Sequence, residues 1–181
     1  MVGTLDWLPA TAHPELVAAP VAAALKQLDE ADAASVRVAA IDPDLADTAA
    51  FCDTYQVGLD ISANCVVVAA KRGGERRLAA CVVVATTRAD VNGLVRRHLD
   101  ARKVSFAAMD VAVAETDMEY GGITPLGLPS DWALLVDAGV DAAGDVVVGS
   151  GLRASKLLLP GSLLGRLPAG VVLDGLGQPV A

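Results

Sequence analysis

Aromatic residues are scarce in this chain: two Trp, two Tyr and two Phe among 181 residues, 3% in all. A core so poor in rings has to be filled by Val, Leu and Ala, which the 54% hydrophobic content supplies. Histidine is rarer still. His13 and His98 stand far apart with no evident metal partner, which argues against a hydrolytic metal centre. Cys52, Cys65 and Cys81 are an odd number without a C-x-x-C pair, so they read as buried reduced thiols rather than disulfides or a zinc site. No apolar run approaches the ~20 residues of a membrane-spanning helix. The opening "MVGTLDWLPA" has an acid and a proline and no basic stretch, unlike a secretory leader, so a cytoplasmic location is expected. Also missing are a G-x-S-x-G elbow, a Walker lysine and a close carboxylate pair. "VVVGSGLRASK" mimics a dinucleotide fingerprint but runs into the strand-like "KLLLP" instead of a helix. No metal and no organic cofactor is expected.

What is present is apolar periodicity. Residues 14–34 place Leu16, Val21, Leu25 and Leu28 on one helical stripe. In "AIDPDLADTAAFCDTYQVG", Asp42 has the character of an N-cap, with Pro43 at the first helical position and Gly58 beyond the end. Two apolar runs, Cys65–Ala70 and Leu78–Ala85, flank "KRGGERR", which predicts a β-hairpin turning on its glycine pair. Val91, Leu94, Val95 and Leu99 predict a helix within 88–102, followed by the strand "KVSFA" and the helix "MDVAVAET". The last third reads as the strands "WALLVD", "DVVVG", "KLLLP" and "GVVLD", with the helical "GSLLGRL" before the last. The expected fold is a single α+β domain over 1–181, a twisted, mixed, barrel-like sheet flanked by helices, with 1–34 as an N-terminal helical extension.

Charge is unevenly spread. The formal net charge is −8, yet nine of the fourteen basic residues lie between 71 and 103, opposed there only by Glu75, Asp90 and Asp100. A hairpin tip and the next helix would together present Arg76, Arg77, Arg96 and Arg97 on one face. That face is either a solvated surface or a track for a nucleic-acid backbone. With few aromatics nearby to stack bases, any RNA contact there would position rather than read sequence.

The densest backbone specification is "EYGGITPLGLP", Glu119 to Pro129, with three glycines and two prolines in eleven residues. Together with "ANCVVVAAKRGG" before it and "VVVGSGLRASKLLL" after it, this loop resembles the YbaK/EbsC and prolyl-tRNA synthetase-associated editing domain family. Gly121 and Pro125 fit that family's G-x-x-x-P loop, and "TPLG" continues it. Asp137 and the Gly149–Arg153 turn also fall where members have similar residues. The resemblance implies a deacylase that hydrolyses the ester of mischarged aminoacyl-tRNA apart from a synthetase. It implies aminoacyl-tRNA as partner, with a synthetase as a further candidate, and neither DNA nor membrane. Its expected catalytic residues are Asn64 and Gly121; its expected substrate-binding residues are Gly122, Ile123, Thr124, Pro125, Gly127, Asp137, Gly149 and Arg153. Glycines let the main chain approach a terminal ribose closely, and Pro125 fixes where that approach ends.

The family usually carries a lysine just before the first central strand. Here "SANCVVV" sets Asn64 in its place, or Ala63 if the register shifts by one. An amide hydrogen-bonds a hydroxyl or carbonyl but brings no charge, and Lys71 and Arg72 lie at the far end of the strand. Asp117 stands where a glycine is common. Two functions therefore remain open: the deacylase, favoured by the glycine–proline loop, and a non-catalytic module binding tRNA, an aminoacyl-nucleotide-like ligand or a synthetase, favoured by Asn64.

Overall fold

Capping and proline decide how the early helices break. The computed structural model describes residues 2–180. Its first elements are β1 (Leu8–Pro9), α1 (Ala19–Leu25), α2 (Glu30–Ser35), β2 (Arg37–Ala40) and α3 (Thr48–Tyr55). The single helix expected over 14–34 is thus two short ones. Pro20 lies in the first turn of α1, and the Asp29 carboxylate accepts from the Asp32 amide at 2.8 Å to start α2 afresh. The expected stripe still faces inward, with Val21 and Leu25 fully or almost fully buried. Asp42 caps as predicted, but only the 3₁₀ turn Pro43–Leu45; the helix proper starts at Thr48 and ends on Gln56 in the left-handed region.

The expected hairpin follows as β3 (Ala63–Arg72) and β4 (Glu75–Val84), paired from Ala63↔Val84 to Arg72↔Glu75. Gly73 and Gly74 form the two-residue turn at φ +59° and +87°, which glycine reaches without a Cβ penalty. Next come β5 (Thr87–Ala89), the short α4 (Arg96–His98), β6 (Lys103–Phe106) and α5 (Met109–Thr116). The helix expected within 88–102 is mostly a π-turn over Val91–Val95, started by Asp90 accepting from the Gly93 and Leu94 amides. The final run is β7 (Ala133–Asp137), α6 (Ala138–Ala142), β8 (Asp145–Gly149), β9 (Ser155–Pro160), α7 (Gly161–Arg166), β10 (Gly170–Leu173) and β11 (Gly177–Pro179).

Among the described residues these strands make three sheets, ordered β10-β7-β4-β3-β6, β1-β2-β9-β8 and β11-β5, with no closed barrel. The first is mixed, because β4–β7 and β7–β10 run parallel while the hairpin and β6 are antiparallel. Ala79 to Val83 are all buried, the continuous apolar run of a strand covered on both faces. One face of β4, Ala80 and Val82, packs toward Leu157, Leu159 and α7; the other, Cys81 and Val83, lies under Val91 and Leu176. Besides this side-chain packing, the first two sheets join through their backbones at one seam. Ser62 bridges Val147, and the Val147 amide donates to the Ile61 carbonyl at 2.7 Å.

Candidate functional site

That seam opens into a cavity of about 370 Å³. The start of β3 (Ala63 to Val67) forms one wall, Val147 to Gly149 and Lys156 another, and the Ala46–Thr48 turn a third. Gly121 and Ile123 of the glycine loop close it, and Phe106, Met109 and Tyr120 stand at its mouth, each more than half exposed. The volume is at the small end for ligand pockets.

The two segments singled out in the sequence, the glycine loop and the 149–153 turn, are stitched together here. The Glu119 amide donates to the Gly151 carbonyl at 2.8 Å, and the Gly151 amide donates to the Gly122 carbonyl at 2.7 Å. The Glu119 carboxylate accepts from the Arg153 amide at 2.6 Å, while the Arg153 guanidinium donates to the Tyr120 and Pro43 carbonyls. This close approach is what the glycines permit. A Cβ on Gly149 would stand 2.3 Å from the Gly122 carbonyl oxygen, and one on Gly122 would stand 2.6 Å from the Leu152 backbone. Gly121 itself sits at φ +84°, exposed.

Asn64 is half-buried on the β3 wall, and its carbonyl oxygen accepts from the Thr48 hydroxyl at 2.7 Å. Asp47 is the one carboxylate in the lining and is exposed. The cation comes from a residue that sequence reading passed over. Lys156 of β9 is 8% exposed, donates to the Ala46 carbonyl at 2.9 Å and lies 5.1 Å from the centre of the Phe51 ring. Burial pushes its amine below the ordinary lysine range; Cys52 and Asp47 oppose that and Arg153 adds to it. Burial pushes up the thiols of Cys65, on the cavity wall, and of Cys81, the latter to about 12, so neither supplies a thiolate near neutral pH.

The family model for the aminoacyl-tRNA editing domain matches residues 42–167, the stretch that contributes every wall of this cavity. The chain belongs to the aminoacyl-tRNA editing domain family. No curated protein matches it significantly in sequence. Solved structures similar to it include a candidate trans-editing enzyme for prolyl tRNA synthetase, at 16% identity and TM-score 0.71 over 88% of this chain and 98% of that one. Another, hypothetical protein APE2540, is 19% identical with TM-score 0.72 over 86% and 99%. A third, from computational grafting of epitope backbones onto scaffold proteins, is 17% identical with TM-score 0.73 over 89% and 97%. At these identities the likeness is one of fold.

Within this editing domain several sequence-derived candidates lie away from the cavity. Asp137 accepts from the Gly139 and Gly177 amides, so it caps α6 and ties down β11. Pro125 and Gly127 face a separate groove beside α1, where a Cβ on Gly127 would stand 2.6 Å from the Pro20 carbonyl oxygen. Thr124 is fully buried, its hydroxyl without a partner among the described residues. Gly122 and Arg153 support the loop from behind without lining the cavity. The four arginines sit at the opposite end of the hairpin. Arg77 donates to the Leu99 carbonyl and Arg96 to that of Asn92, while Arg76 and Arg97 are exposed. Eight residues of extended strand separate Asn64 from Arg72, roughly 26 Å.

Proposed function

We propose that this editing domain is a trans-acting aminoacyl-tRNA deacylase, a hydrolase of the ester on mischarged tRNA. What supports it is the glycine loop held against the 149–153 turn at the edge of a cavity, in a chain of the editing-domain family. An aminoacyl ester is already activated, so positioning it and a water in attack geometry supplies much of the rate. Gly121, without a side chain, lets the backbone lie along the terminal ribose. The Asn64 amide, whose oxygen is taken by Thr48, would use its NH₂ to donate to a ribose hydroxyl or the aminoacyl group. Phe106 and Tyr120 offer exposed ring faces at the mouth for the terminal base. The basic hairpin end would then follow the acceptor stem of a cytoplasmic tRNA, with no synthetase required for the chemistry.

The second reading, a non-catalytic binding module, is favoured by one observation: the lining holds no acid–base pair of the usual hydrolytic kind. A panel of misacylated tRNAs, beginning with proline tRNA charged with alanine or cysteine, separates the two. Loss of labelled ester above the buffer rate on any member supports the deacylase. A flat result on all of them, with measurable tRNA binding, leaves the module.

A further inference from the structure

Lys156 follows Ser155 at the start of β9, just before the apolar Leu157–Leu159. Leu157, Leu158 and Leu159 beside it are all essentially inaccessible. Withdrawing an ammonium from water is costly unless partners replace its hydration. Here the replacement is thin. Of its three donors one goes to the Ala46 carbonyl, and the Phe51 ring covers another side. Among the described residues it belongs to none of the four ion pairs. A buried cation with donors left over, on the wall of a cavity, is under-satisfied until something with negative charge arrives. Its neighbours place it beside the loop. Lys156 is the cross-strand partner of Gly149, and Gly149 abuts the carbonyls of Gly122 and Ile123. The amine and the glycine loop thus border the same cavity.

We propose that Lys156 is an oxyanion-binding residue, whose ammonium donates a hydrogen bond to the carbonyl oxygen of the aminoacyl ester as water adds to it. The proposal rests on the deacylase reading and deepens it. Water oxygen bonds to the carbonyl carbon while the π electrons move to the carbonyl oxygen. Collapse re-forms the C=O and breaks the bond to the ribose oxygen, which takes up the proton that water releases. Lys156 transfers no proton; it stabilises charge that exists only in the transition state and intermediate. The lowered basicity of its amine agrees with a site that leaves the cation wanting a counter-charge. The competing role is a brace, in which Lys156 only ties β9 to the Ala46 turn.

Two measurements on the full chain decide between them. Lys156→Met keeps an unbranched side chain as far as Cε and removes the ammonium with its charge. Loss of one oxyanion donor predicts a fall in kcat of about 100-fold, with KM changed by less than about threefold. The unfolding temperature should stay level or rise, since a buried cation has been removed. Retained kcat, or an unfolding temperature that falls with activity, overturns the proposal in favour of the brace. The second measurement uses 3′-alanylamino-3′-deoxyadenosine, whose amide carbonyl stands in for that of the ester. It should protect Lys156 of the wild type from reductive methylation, read by peptide mass. Absence of protection overturns the Lys156 assignment whatever the turnover. Protection in a protein that deacylates none of the tRNA panel supports the Lys156 contact and sinks only the hydrolytic reading.

Discussion

Gly121 and Lys156 are where single atoms matter most. Gly121→Ala places a residue at φ +84°, and its Cβ would meet the Arg153 guanidinium at 2.4 Å, the movable end of a side chain. The strain should therefore cost only about 1–2 kcal/mol, while the methyl displaces the Arg153 guanidinium that braces the loop and kcat/KM drops at least about tenfold. Thermal unfolding beside deacylation kinetics checks both; normal turnover in a folded variant removes Gly121 from the site. Lys156 also makes stability depend on pH. Its amine has the ordinary value near 10.5 in the unfolded chain and a lower one in the folded state. Between those values the unfolded chain binds the extra proton, so folding stability rises with pH there, and the penalty is at its full size below the folded value. Lys156→Met should therefore be the more stable protein at pH 7, with its advantage shrinking toward pH 10 in urea melts. An advantage constant across that series would contradict a buried, charged lysine.

At the scale of elements, the site depends on two loops lying against each other without side chains between them. Gly149→Ala, at the end of β8, would set a Cβ 2.3 Å from the Gly122 carbonyl oxygen and 2.8 Å from that of Ile123. Both are backbone atoms, so the glycine loop itself must move, at a cost of roughly 2–4 kcal/mol and with loss of activity. Gly73→Ala at the hairpin turn is the control. It also has positive φ, but a Cβ there meets nothing within 4 Å. It should cost about 1 kcal/mol and leave deacylation unchanged. Equal effects of the two substitutions would show that the loop–turn contact is not what holds the site.

The whole molecule is acidic, yet its hairpin end is basic, and the geometry divides that basic group into two kinds. Arg72 and Arg77 are tied to the Leu99–Asp100 turn, so they hold the hairpin to the helix that follows. Arg76 and Arg97 remain exposed and available to phosphate. Changing Arg76 and Arg97 to Glu should weaken binding of every tRNA alike. The dependence of affinity on salt should flatten by about one unit of slope for each phosphate no longer neutralised. Unchanged affinity at low salt would make the face a solvated surface.

The strands of the centre and the glycine loop were legible because their causes are local. Val66–Ala70, Ala79–Val83 and Leu157–Leu159 are apolar runs of strand length, and Gly73, Gly74 and Gly121 specify backbone shapes that few other residues adopt. Helix ends were less so: a stripe such as Leu16–Leu28 reports which face is buried, but Asp29 and Pro20 decide where the helix stops. For Asp137 and Gly127, long-range packing sets a cap on α6 and a backbone contact with Pro20, both away from the cavity. Lys156 lay beyond local reading altogether. In "SKLLLP" it is an ordinary polar start to a strand; its burial and its bond to Ala46 depend on chain 110 residues earlier. Local patterns determined which segments form strands, turns and the loop. Only the tertiary structure, by bringing β9 beside β3 where the two sheets join at Ser62 and Val147, decided that Lys156 brings a positive charge to the cavity wall that Asn64 lacks.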